Sequence, residues 1–278
     1  MFFLIALPTS IAPWQAVVAF GSAFVAGAIN SVAGGGTLLT FPTLIWLGLP
    51  SINANATSTV AIWPGTVGTI WGYRTELRTS SPRMLALAAP SVVGGILGAL
   101  LLNHTPPAVF DALVPFLILF ATLLFMVQEP IQRRLKISNP ESHKSTRWLI
   151  GAMLFQLFVA LYGGYFGAGI GILMLAALSV LGFTDIHQMN ALKALLGASI
   201  NGVAAIYFIW ARMVYWPEFV VMVVGAIIGG YGGALIARRI GGPAVRRIVI
   251  IVGLSMAISM FVKFFVAHAL MRAAFTLM

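Results

Sequence analysis

No charged side chain occurs before Arg74. An uncharged lead of that length must be sheltered by protein or by lipid. In lipid, every backbone N–H and C=O needs a partner within the protein, which restricts a spanning segment to helix or closed barrel. Yet this lead contains Gly34-Gly35-Gly36-Thr37, Pro42 and the small polar run Asn53-Ala54-Asn55-Ala56-Thr57-Ser58-Thr59. Consecutive glycines leave backbone N–H groups uncovered and allow conformations closed to other residues. At membrane depth such irregular backbone persists only inside protein or against a wet cavity. The stretch therefore predicts a broken helix that faces a site.

The rest of the chain is of the same kind. It is 60% hydrophobic and only 8% charged over 278 residues, which excludes an ordinary soluble domain. Apolar segments run at about 13–32, 37–49, 55–72, 84–102 and 108–127, and again at about 148–162, 165–182, 190–211, 217–237 and 248–267. A spanning helix takes about 20 residues. Segment 37–49 is short for a crossing and 148–162 is marginal, so both are expected to be half-helices or parts of interrupted spans. The first twelve residues are apolar but lack a basic leader and a small-x-small cleavage site, and are not read as a cleaved signal. There is no cysteine, which removes disulfides, thiolate metal sites and redox thiols. His104, His143, His187 and His268 show no paired metal-ligand spacing, and neither a nucleophile elbow nor a P-loop is present. The expectation is a non-enzyme with no cofactor and no metal.

The two sets of five segments match at a fixed offset of 135 positions. Gly34 and Gly36 fall on Gly169 and Gly171, Asn55-Ala56 on Asn190-Ala191, and Pro82 on Pro217. Gly94-Gly95 with Gly98-Ala99-Leu100 fall on Gly229-Gly230 with Gly233-Ala234-Leu235. This is an internal duplication, giving a first membrane repeat over 1–127, a basic cytoplasmic linker over 128–147 and a second membrane repeat over 148–278. The basic loops swap between copies: Arg74, Arg78 and Arg83 follow the third segment of the first, whereas Arg238, Arg239, Arg246 and Arg247 follow the fourth of the second. The net charge of +10 thus reports topology rather than a nucleic-acid partner. The fold class expected is an all-α integral membrane protein of two inverted-topology repeats, with broken helices meeting near the midplane and both termini on the outer side.

On a helix over 190–211, Asn190, Lys193, Gly197 and Asn201 share one face, and the twin stripe is Asn55, Ser58, Ile62 and Thr66. Polar stripes within apolar spans face a cavity or another helix. Lys193 is the only Lys or Arg between Arg147 and Arg212, and a cation inside a membrane is by default a functional group; its other reading is a side chain snorkelling to the interface. No Asp or Glu stands mid-span, so a cation path or carboxylate relay lacks its acids. Lysine, amides, hydroxyls and helix N-termini suit an anion. The candidate set is Lys193, Asn190, Asn201, Asn55, Thr57, Ser58, Thr66, Gly34, Gly35, Gly36, Thr37, Gly169 and Gly171. Asn30 and Ser31 either cap the broken helix or touch ligand. The Gly94 and Gly229 clusters read as close helix packing.

The run Gly34-Gly35-Gly36-Thr37-Leu38-Leu39-Thr40-Phe41-Pro42 with Ala56-Thr57-Ser58 resembles the TauE/SafE family of sulfite exporters. Gly167-Ala168-Gly169-Ile170-Gly171 and Asn190-Ala191-Leu192-Lys193 resemble that family's second repeat. Ile170 stands where the first copy has a glycine, and Ala177 where it has Pro42. The resemblance implies a secondary transporter that moves small sulfur-containing anions, such as sulfite or sulfoacetate, across the bacterial cytoplasmic membrane by alternating access. Its partners would be that anionic substrate and the lipid bilayer, with a homodimer left open and no nucleic acid. Rival classes are an anion pore on the same scaffold and a non-transporting scaffold subunit.

Overall fold

A computed structural model describes residues 11–32, 35–80, 82–134, 146–181, 183, 186–240, 250–251, 253–255 and 257–262. All regular structure among the described residues is helical. Gly34, Arg246 and Arg247 from the sequence reading, and residues 135–145 of the linker, lie outside them.

In chain order the helices are α1 (Pro13–Val32), α2 (Thr37–Trp46), α3 (Ser51–Gly72), α4 (Arg74–Thr79), α5 (Pro82–Leu85), α6 (Ala88–His104), α7 (Pro107–Arg134), α8 (Thr146–Tyr165), α9 (Ile170–Val180), α10 (Ile186–Trp210) and α11 (Trp216–Ile240). Helical backbone recurs near the end of the chain, within 250–262. Local chemistry sets several boundaries. Gly48, at φ 99°, ends the α2 turn in a conformation that side chains resist, and Pro50, with extended backbone, then launches α3. Gly167 (φ 73°) and Gly169 (φ 72°) carry the chain through the break between α8 and α9.

Two of the expected segments change shape. Segment 148–162 is part of the 20-residue helix α8, long and apolar enough to cross a membrane. Arg147 and the glycines Gly163 and Gly164 make its ends less apolar, yet all three are helical. The short second helix is instead α9, with 11 residues, matching the 10 residues of α2. Likewise α7 continues past residue 127 to Arg134.

The helices pack through two kinds of seam. Alpha-helix α1 lies along α11, and α6 lies along α8, with small residues letting the backbones touch. A Cβ on Gly94 would come within 2.7 Å of the Leu157 carbonyl oxygen of α8, and one on Gly229 within 2.6 Å of the Phe24 carbonyl carbon of α1. The third contact is between α3 and α10, where the Trp63 ring lies over Gly202 and its indole N–H donates to the Ala198 carbonyl at 3.1 Å. Outward, large apolar side chains such as Phe116, Phe158 and Ile206 are exposed, as a lipid-facing surface requires. Trp14, Trp46, Trp71, Trp210 and Trp216 are exposed at helix ends, the positions that interfacial anchors take.

Candidate functional site

The crossing of α3 and α10 creates a cavity of about 350 Å³. Along α3 it is lined from Ile62 through Thr66 and Thr69 to Tyr73, so it reaches the helix end that Arg74 and Arg78 follow. Along α10 its wall is Lys193, Gly197 and Asn201, one helix face at the expected spacing. The starts of both short helices complete it: Gly35 and Thr37 before and on α2, Gly167 and Gly171 before and on α9. The first N–H groups of any helix lack intrahelical acceptors and carry the positive end of its dipole. Two such ends border the cavity, and here the Leu38, Leu39, Ile170 and Ile172 N–H groups bond to the Gly35, Gly36, Gly167 and Gly169 carbonyls, so what reaches the cavity is mainly the positive end of each short dipole.

Lys193 has no ion pair or hydrogen bond among the described residues, and its side chain is half-buried. The described residues that line the cavity include no Asp or Glu. Asn201 also lines the cavity, with its Oδ1 on the side of Gly167. Thr66 and Thr69 donate back to the carbonyls of Trp63 (2.6 Å) and Gly65 (3.3 Å), leaving their oxygens able to accept. The cavity is thus a cationic space with apolar walls, holding the Lys193 ammonium, the Asn201 amide and the acceptor oxygens of Thr66 and Thr69.

Of the candidate residues, Lys193, Asn201, Thr66, Gly35, Thr37 and Gly171 are brought together here. The others stand elsewhere. Gly36 is buried beside Ala26 and serves as the N-cap position of α2. Gly169 abuts Ala121 of α7. Asn190 lies one turn before Lys193, off the cavity wall. Asn55, Thr57 and Ser58 are fully packed between helices. Asn55 Nδ2 donates to the Tyr165 carbonyl at 3.0 Å, Thr57 Oγ1 accepts the Tyr215 N–H at 3.0 Å, and Ser58 Oγ pairs with Thr40 Oγ1 at 2.6 Å. Gly167, from the second glycine cluster, is on the wall as well, and Tyr73 and Tyr231 join it from outside the candidate set, since an isolated aromatic carries no distinguishing spacing.

A second cavity, of about 630 Å³, lies at the opposite end of α3. It is lined by Asn53, Asn103, Asp111 and Arg212, with Ser51 donating to the Asp111 carboxylate. Between the two cavities stand fully buried aromatics. Phe41 lies midway along α2, between Thr37 on the first cavity and Ile45 on the second. Its ring meets Phe166 edge-on at 5.2 Å, and Phe166 meets Phe110 at 6.4 Å, next to Asp111.

A sequence profile of the sulfite exporter family TauE/SafE matches residues 19–260. The chain belongs to this family. Curated relatives of this TauE/SafE member are of similar length. A "probable membrane transporter protein" of Haemophilus influenzae is 27% identical over 87% of this chain and 93% of its own. The "probable membrane transporter protein YfcA" of Escherichia coli K12 is 29% identical over 89% of this chain and 90% of its own. One from Sinorhizobium, "probable membrane transporter protein ORF9", is 26% identical over 86% and 89%. No solved structure matches the chain. This TauE/SafE protein is accordingly a transmembrane transporter, with helices apolar enough to cross the bilayer.

Proposed function

We propose that the protein is a secondary transporter of small sulfur-containing anions, sulfite or a short organosulfonate, in the bacterial inner membrane. The observation that carries this reading is the ammonium of Lys193, unpaired among the described residues, in a cavity bordered by two helix N-termini and by no described carboxylate. Such a set attracts negative charge and offers several donors to a group with several oxygens. The family's description adds the sulfur chemistry.

The mechanism is alternating access by two inverted repeats. The helix pairings support it. At the 135-residue offset α1 corresponds to α8 and α11 to α6, so the α1–α11 seam and the α8–α6 seam are the same contact with the copies exchanged. The twins α3 and α10 pack on each other. In this conformation the stripe of the second copy, Lys193 to Asn201, lines an open cavity. In the first copy only the outer part of the equivalent stripe, Asn55 and Ser58, is buried and hydrogen-bonded, next to the edge-on Phe41–Phe166–Phe110 cluster, while Thr66, the twin of Asn201, lines the same cavity. Switching would unzip that barrier toward the second cavity while closing the first. The positive-inside rule makes the Arg74 end cytoplasmic, so the cavity around Lys193 faces the cytoplasm and both termini lie outside.

Proteoliposomes containing the purified chain test the reading. Efflux of labelled sulfite should saturate and be accelerated by unlabelled sulfite on the opposite side. Unsaturable flux without that acceleration would identify a pore, and no flux of any sulfur anion would defeat the assignment.

A further inference from the structure

Asn30 lies near the end of α1 and lines the cavity. Its Oδ1 accepts the N–H of Gly35 at 3.0 Å and of Gly36 at 2.8 Å. Those are backbone donors that a glycine break would otherwise present to an anion. The side chain takes them instead, and in doing so its orientation is decided. Both loop partners are donors, so the oxygen must face them and the NH2 must face away. No described residue accepts from that NH2. Gly35 sits at φ 123°, a conformation few other residues adopt, and this bond joins it to α1.

We propose that Asn30 is a substrate-binding residue of the anion site: its oxygen clamps the Gly35–Gly36 turn while its NH2 donates to a polyoxo anion. The inference rests on the anion-transport reading of the cavity and adds a donor and a selectivity to it. Asn30 from α1, Lys193 and Asn201 from α10 and Thr37 from α2 line one cavity, from three different helices. Donors held apart on separate walls are satisfied together only by an anion with several acceptor atoms, such as a sulfite or sulfonate group. A single-atom anion such as chloride engages them one or two at a time.

Asn30→Asp separates the two roles. Its carboxylate is the same shape, and one oxygen keeps both turn bonds with charge assistance. The other replaces the NH2 donor by a negative acceptor beside the substrate. With the purified full-length chain, read by thermal shift at pH 8, N30D without ligand should melt close to the wild type. Its affinity for sulfite should fall at least about tenfold, and the preference of the wild type for sulfite over chloride should shrink. Wild-type affinity and selectivity in N30D overturn the proposal. Lys193→Met run in parallel tells the two readings apart: if K193M loses binding and N30D does not, only the role of Asn30 falls, whereas undiminished binding in K193M removes the anion site itself. Should N30D not fold, Asn30→Ser serves. Its hydroxyl is too short to hold both amides and present a donor, so exchange at Gly35 and Gly36 should quicken and sulfite binding weaken, and unchanged affinity overturns the proposal equally.

Discussion

Replacing Lys193 with methionine should have two effects of opposite sign. In the ligand-free protein the ammonium is half-buried and has no partner among the described residues. A lysine at the centre of a membrane helix costs about 2.5–3.5 kcal/mol on insertion scales. This one is only half-buried, on a cavity wall, so about 1–2 kcal/mol is the fitting share. Methionine keeps the stem's volume and removes that cost. At about 2–4 °C per kcal/mol for a chain of this size, ligand-free K193M should melt about 2–8 °C higher. The substrate loses a charge-assisted hydrogen bond worth about 1.5–3 kcal/mol, so its affinity should drop about 10- to 150-fold. Both effects appear in one experiment, a thermal-shift titration of wild type and K193M against sulfite. A lower ligand-free melting temperature would mean that the ammonium is satisfied by the protein, and an unaltered titration would mean that it does not meet the substrate. Either result refutes the reasoning.

Other perturbations test the packing and the barrier. Gly229→Val forces a side chain into the Phe24 backbone of α1 and should destabilise by about 3 kcal/mol or more, seen as loss of a monodisperse protein in detergent. Gly21→Ala, where nothing lies within 4 Å of the new methyl, should instead raise stability by about 0.5–1 kcal/mol. The chain has no cysteine, so single cysteines report access directly. Asn201→Cys and Thr69→Cys on the cavity wall should react with an impermeant thiol reagent applied from the Arg74 end, and Ser58→Cys in the barrier should not. Prompt labelling of Ser58→Cys from that end would contradict the closed barrier.

The pattern of residues carried the helical class, the break before α2 at Gly35–Gly36 and the placement of Lys193 and Asn201 on one face. These follow from periodicity and from glycine's backbone freedom, which are local properties. The extent of α8 was obscured because Arg147, Gly163 and Gly164 lower an apolar count, while helix formation asks only that the backbone be bonded and its ends covered. Spacing also put Asn55 and Ser58 on a stripe equivalent to that of Lys193, and it could not say which stripe is uncovered in a given conformation. That depends on Thr40, Tyr165 and Tyr215 arriving from other helices. Asn30 was ambiguous for a related reason: capping and ligand contact use the same side chain, and only the two N–H groups on its oxygen separate them.

The glycine seam between α1 and α11 also governs how the protein is made. Gly27 meets the backbone of Ala226 and Gly230, roughly 200 residues later in the chain. During synthesis α1 must therefore wait in the bilayer, its small-residue face uncovered, until α11 has emerged. The α6–α8 seam closes much sooner, across the linker, and would assemble first. A ribosome that stalls before α11 leaves behind a fragment whose opening helix presents a ready docking stripe to any other small-residue helix nearby, including the same stripe on a neighbouring nascent copy.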